Sequence, residues 1–150
     1  MTMSLDYNEP LPKVVERLKD EHRELVPKLR RIEKLAKSGD LKVIATELNA
    51  VKPLLLRHAV EEEARLMRAI MWEFEEKADE SIIILRYHRE LVEFFEHRLP
   101  KLTTLPDRVA RREVGIFVKG LRKHHLEEER TLFPLALKAD SLYEKGNRTG

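Results

Sequence analysis

Residues Leu121–Pro134 read L-R-K-H-H-L-E-E-E-R-T-L-F-P, and the fold follows from how that stretch winds. It places His125 and Glu129 four residues apart in an otherwise helical, one-sided apolar pattern. An α-helix turns about 100° per residue, so a four-residue step returns two side chains to one face, about 6 Å apart along the axis. With His125 as the reference direction, Val114, Val118, Leu121, Leu132 and Ala136 all fall within about 40° of it. His125 and Glu129 are therefore expected to point where the core residues point. An ionised carboxylate in a core is costly unless a partner or a metal meets it. His124 lies about 100° from His125 and could pair with Glu128 as an alternative ligand set.

Composition narrows the possibilities. A chain of 150 residues fits one domain with a sizeable core, here expected over 1–150 with the core at about 11–138 and a polar tail at 141–150. The 29 basic and 27 acidic residues are mixed rather than blocked, so neither a nucleic-acid nor a membrane partner is expected. There is no cysteine, which excludes disulfides, thiol catalysis and iron–sulfur clusters. Met1–Pro10 is polar and shows no secretory signal, and no apolar run approaches the roughly 20 residues of a membrane span. The expectation is a soluble, cytoplasmic protein.

The earlier chain repeats the amphipathic pattern. Leu11–Lys37 carries Val15, Leu18, Leu25, Val26, Leu29 and Ala36 on one stripe, with His22 in its middle. Ser38-Gly39-Asp40 should end that helix, glycine taking a left-handed turn and Asp40 capping the next helix. Leu41 to about Lys77 forms a second helical stretch, with His58 and Glu62 on its stripe and Pro53 expected to kink or break it. A third helix starts at Asp79 or Ser81 and runs to about Leu99, with Ser81, Ile84, Leu85, Leu91, Val92, Phe95 and Leu99 on one face and His88 at its centre. Pro106 and Asp107 suit the first turn of the fourth. Four such helices with short connections predict an all-α, antiparallel up-down-up-down four-helix bundle. His88 sits nearer its flanking turns than His58 or His125 does. Levelling the three requires the second and fourth helices to overhang by about two turns.

Each helix thus contributes inward groups: His22; His58 and Glu62; His88; His125 and Glu129. Imidazole and carboxylate together suit iron, manganese or zinc, and bundles hold dinuclear sites between facing helices. A lone histidine on an apolar face is usually a satisfied core residue; four on four separate stripes, two with an inward glutamate, favour a metal. His97 lies opposite His88 and should be solvated. Glu61, Glu63 and Glu127 read as surface or boundary residues, and Met67, Trp72 and the phenylalanines as core.

With those residues assembled, the chain resembles the hemerythrin-like, or HHE cation-binding, family over about residues 11–138. The motifs are E-H-R-E-L around His22, H-A-V-E-E-E from His58, Y-H-R-E-L around His88 and H-L-E-E-E-R-T-L-F-P from His125. The resemblance implies two iron ions in an oxo- or hydroxo-bridged centre. Glu62 and Glu129 would bridge, and His22, His58, His88 and His125 would be terminal ligands. It further implies a small ligand, O2, NO or peroxide, that the protein binds or senses. Oxygen-carrying hemerythrins have two histidines four apart on the third helix, whereas this chain has Ile84 and Val92 at the positions flanking His88. They also pair the fourth-helix histidine with an aspartate five residues on. The missing histidine shifts the expectation toward peroxide, NO or redox chemistry, including a di-iron enzyme or an iron donor in iron–sulfur cluster repair. A metal-free helical interaction module is the remaining alternative, and the protein partners stay open.

Overall fold

A computed structural model describes residues 5–149, and the regular elements among them are all helical. Helix α1 is Leu11–Ser38. Helix α2 (41–73) is α-helical over Leu41–Glu61, π-helical over Glu62–Met67 and α-helical again over Arg68–Glu73. Helix α3 (78–104) runs over Ala78–Glu93 and continues through a π-helical turn, Phe94–Arg98, into a 3-10 segment, Leu99–Thr104. Helix α4 (107–149) comprises Asp107–Glu127, a π-helical segment Glu128–Leu132, and Phe133–Thr149. The four pack as a helical bundle. No helix among the described residues is long and apolar enough to cross a membrane.

The apolar stripes explain the packing, and their interruptions explain the site. On α1, Leu11, Val14, Val15 and Leu18 are buried, then Glu21 and His22, then Leu25, Leu29, Ile32 and Ala36. The other helices break their stripes at the same level, with His58–Glu62 on α2, His88 on α3 and His124–Glu128 on α4. These polar interruptions divide the interior into two apolar clusters. One joins the lower part of α1, including Leu25 and Ile32, to Leu48, Leu55, Phe95, Leu102, Val114 and Leu121. The other joins the start of α1 to Leu66, Met67 and Ile70 of α2 and to Leu132, Phe133 and Ala136 of α4. The second cluster lies where α2 and α4 extend past α3, which among the described residues adds the half-buried Ile84. Each fully buried leucine or isoleucine contributes about 1.5–3 kcal/mol, so the clusters clamp a polar layer that is itself costly to bury.

Local details depart from the sequence expectations in five places. Gly39 does not adopt a left-handed turn: its φ is −79°. Glycine is required because an added Cβ would lie 2.8 Å from Leu35 Cδ2 and 2.9 Å from the Leu35 carbonyl oxygen. Asp40 caps α2 as expected, accepting from the Lys42 amide at 2.8 Å. Pro53 does not break α2, because it lies on the exposed side, where water can replace the lost hydrogen bond. On α3 the buried face is Ser81, His88, Leu91, Phe94, Phe95 and Leu99, leaving Leu85 and Val92 at the exposed rim. Trp72 is exposed rather than core, at 77%. The expected polar tail is helical as far as Thr149; Met1–Ser4 and Gly150 lie outside the described residues.

Candidate metal centre

The site is built where the stripes break. Besides Glu21, five imidazoles and two carboxylates are buried there: His22, His58, His88, His124, His125, Glu62 and Glu128. They form two groups of potential ligand atoms. His22, His58, His125 and Glu128 make one, and Glu62, His88, His124 and Glu128 make the other. Within each group all the candidate atoms lie within 4.8 Å of one another.

The ring nitrogens divide by direction. His22 Nε2 is 2.9 Å from His58 Nε2 and 3.2 Å from Glu128 Oε1. His58 Nε2 is 2.9 Å from Glu62 Oε1, His88 Nε2 is 3.9 Å from Glu62 Oε1, and His124 Nε2 is 3.4 Å from Glu128 Oε2. The opposite nitrogens face outer carboxylates. His58 Nδ1 donates to Glu21 at 2.9 Å, His88 Nδ1 to Glu63 at 2.8 Å and His22 Nδ1 to Glu129 at 3.2 Å. Glu21 is anchored in turn by Arg57 at 2.6 Å. A carboxylate on Nδ1 fixes the tautomer whose Nε2 lone pair points at a metal, and ligating histidines are held this way.

Four of the inner atoms make no hydrogen bond. Glu62 Oε2, both Glu128 oxygens and His124 Nε2 are buried without a hydrogen bond among the described residues. Buried polar atoms are nearly always satisfied, so four orphans in one layer call for a cation. Nitrogen and carboxylate oxygen donors fit iron, manganese or zinc.

Electrostatics follow from burial. Desolvation, then the neighbouring imidazoles, holds His125 well below its ordinary range, and desolvation holds His124 down at about 4. Desolvation, then His58, also lowers His22. For His58 desolvation opposes the charge, but Glu62 and Glu21 overcome it and raise the pKa to about 9. Without a metal, the proton on His58 is the cation that lets its Nε2 approach His22 and Glu62.

Of the residues expected from the sequence, His22, His58, Glu62, His88 and His125 come together here. Glu129 does not join either group: its side chain is 35% exposed, while that of Glu128 is 1% exposed. The reason is angular. The stripe from Ala110 to Ala139 is centred about 20° to one side of His125, which leaves Glu128 about 40° from centre and Glu129 about 60°. Helix α4 also opens into its π-helical segment at Glu128, as α2 does at Glu62. Such segments concentrate at functional sites. His124 supplies the fifth imidazole, and the ring of Tyr87 stacks on it at 3.7 Å. The i,i+4 spacing of His124 and Glu128 was the available signal. Glu61 is buried against Arg17 at 2.5 Å, while Glu127 and His97 are exposed.

Residues 5–70 match the family model described as Hemerythrin HHE cation binding domain. That match spans α1 and most of α2, and so includes His22, His58 and Glu62. Comparison with curated proteins and with solved structures returned no match.

Proposed function

We propose that this chain, hemerythrin-like over residues 5–70, holds two iron ions and binds or senses a small oxidant or diatomic ligand: O2, NO or peroxide. His22, His58 and His125 would hold one ion, and His88 and His124 the other. Glu128 would span the two, because it belongs to both groups. Glu62 would span them also, since its Oε1 reaches both His58 and His88. The observation that carries this reading is the sorting of ring nitrogens, with Nε2 atoms converging on carboxylates and Nδ1 atoms held by Glu21, Glu63 and Glu129.

When bound, such a pair of ions supplies redox and Lewis-acid chemistry toward a small ligand. The protein's part is to orient and to exclude. Glu21, Glu63 and Glu129 fix three imidazoles, Tyr87 braces His124, and the apolar clusters pack on either side of the layer. An antiparallel course for the bundle belongs to the same reading. It is supported by the pairing of Arg31 with Glu47 and of Arg57 with Glu21 between α1 and α2. Between α1 and α4, Arg111 meets the Leu35 carbonyl and His22 meets His125.

The test is metal content per chain in protein purified without added metal, with absorption spectra before and after air. About two irons, with near-ultraviolet bands on oxidation, are expected of a two-metal site in a bundle. Turnover of many equivalents of peroxide or NO would move the reading to a redox enzyme. No metal, with an unchanged melting temperature after chelation, would leave a metal-free interaction module.

A further inference from the structure

A cavity of about 710 Å³ lies between α1 and α4, and its inner wall is the outer side of the metal-ligand layer: His22, His125 and Glu129. Its rim is basic. Lys19, Arg23 and Arg30 line it from α1, and Lys119, Arg122 and Lys123 from α4. Some of this charge is met locally: Lys19 pairs with Glu16, Arg23 with Asp20, and Arg122 with Glu33. The side chains of Arg30, Lys119 and Lys123 make no ion pair or hydrogen bond among the described residues. Lys19 and Arg23 are an i,i+4 pair of like charge, as are Lys119 and Lys123, and such pairs repel. Since Lys19 and Arg23 are met by Glu16 and Asp20, the positive potential in the concavity comes from Arg30 on one side and the Lys119–Lys123 pair on the other. A smaller cavity on the His124 side, of about 350 Å³, mixes Arg86 and Lys123 with Glu90 and Glu127. The cationic rim is thus a property of the α1–α4 cavity and not of every groove on the bundle.

The interior adds an apolar floor from Val26, Leu29 and Leu126. A volume in the range of small-molecule sites, with an apolar floor and a cationic rim, matches a ligand with a planar or aliphatic body and several negative charges. It is far larger than a diatomic gas needs. We infer that the α1–α4 cavity binds a phosphate-bearing organic anion, with its phosphates on Arg30, Lys119 and Lys123 and its body on Val26, Leu29 and Leu126. The ligand would lie against Glu129, the carboxylate that orients His22. The inference needs no metal, so it stands or falls separately from the two-iron reading.

Titration calorimetry at low salt, with pyrophosphate and with ATP as probes, tests it on metal-free and metal-loaded protein alike. Saturable one-site binding of both is expected, with ATP tighter because its base adds contact with the apolar floor. A triple variant, Arg30→Gln/Lys119→Gln/Lys123→Gln, changes only exposed side chains and should weaken binding by about tenfold or more. The matched variant Lys101→Gln/Arg108→Gln/Arg112→Gln removes equal charge from exposed positions outside the cavity and should leave affinity unchanged. Absence of saturable binding, equal weakening in both variants, or ATP binding no tighter than pyrophosphate would each overturn the proposal.

Discussion

His22 and His58, on neighbouring helices, face each other through Nε2 atoms 2.9 Å apart, while each ring's Nδ1 is held by a carboxylate. Two lone pairs at that distance repel unless a proton or a metal lies between them. In the metal-free chain the proton on His58 serves, and metal binding must displace it. Metal uptake should therefore release protons and weaken as the pH falls.

The stability of the metal-free protein should peak near pH 6.5. His124 and His125 are depressed by burial, so between pH 6.5 and about 4 the unfolded chain binds more protons and stability falls as the pH falls. For His124 that loss is on the order of 3 kcal/mol by pH 4, at about 1.4 kcal/mol per unit. His58 acts oppositely: burial disfavours its charge, but Glu62 and Glu21 raise it to about 9. Its contribution is complete below pH 6.5 and is lost as the pH rises through 9. Thermal melting of chelated protein from pH 4 to 10 should trace this dome; a monotonic rise through that range would refute it.

Glu21→Ala should loosen the metal without touching a ligand. Glu21 accepts from His58 Nδ1 and is pinned by Arg57. Losing such an orienting carboxylate typically weakens metal affinity by about 10–100-fold. The unsatisfied His58 Nδ1 should also cost about 1–3 kcal/mol in stability. Competition with a chromophoric chelator measures the affinity, and Glu24→Ala, on the exposed side of α1, should change nothing.

Tyr87 and His124 offer a similar test on the other group. The rings stack at 3.7 Å with an interplanar angle of 15°. Tyr87→Phe keeps the stack and should keep full metal content. Tyr87→Ala should free His124 and weaken one of the two positions by about tenfold, seen as biphasic metal release to a chelator. Identical behaviour of the two variants would remove Tyr87 from the site.

Chelation should lower the melting temperature, because a metal bound only by the folded chain stabilises it by mass action. The drop should grow with the free metal concentration before chelation. A melting temperature indifferent to metal would leave the four buried orphan atoms unexplained.

The helices were legible in the sequence because apolar spacing reports burial directly. His22, His58 and His88 sat on stripes regular enough to fix their direction. Two features were not legible from spacing alone. Glu128 and Glu129 differ by only about 20° in their distance from the stripe centre, so the choice of His125 as reference decided between them. The π-helical segments that begin at Glu62 and Glu128 shift the helical phase, and no residue type announces them. Trp72, read as core on its residue type alone, lies on the exposed side beyond Met67, where the π-helical segment has shifted the phase.

The most direct measurement compares bound metal in Glu128→Ala and Glu129→Ala. Glu128 lies in both ligand groups, so its loss should remove most of the metal. In the metal-free chain it removes oxygens that make no hydrogen bond and lie 3.2 Å from His22 Nε2 and 3.4 Å from His124 Nε2, so bound metal rather than folding is the readout. Glu129→Ala should retain its metal, with affinity weakened by about tenfold through His22. Metal lost from Glu129→Ala and kept by Glu128→Ala would contradict the assignment of Glu128 as the shared ligand.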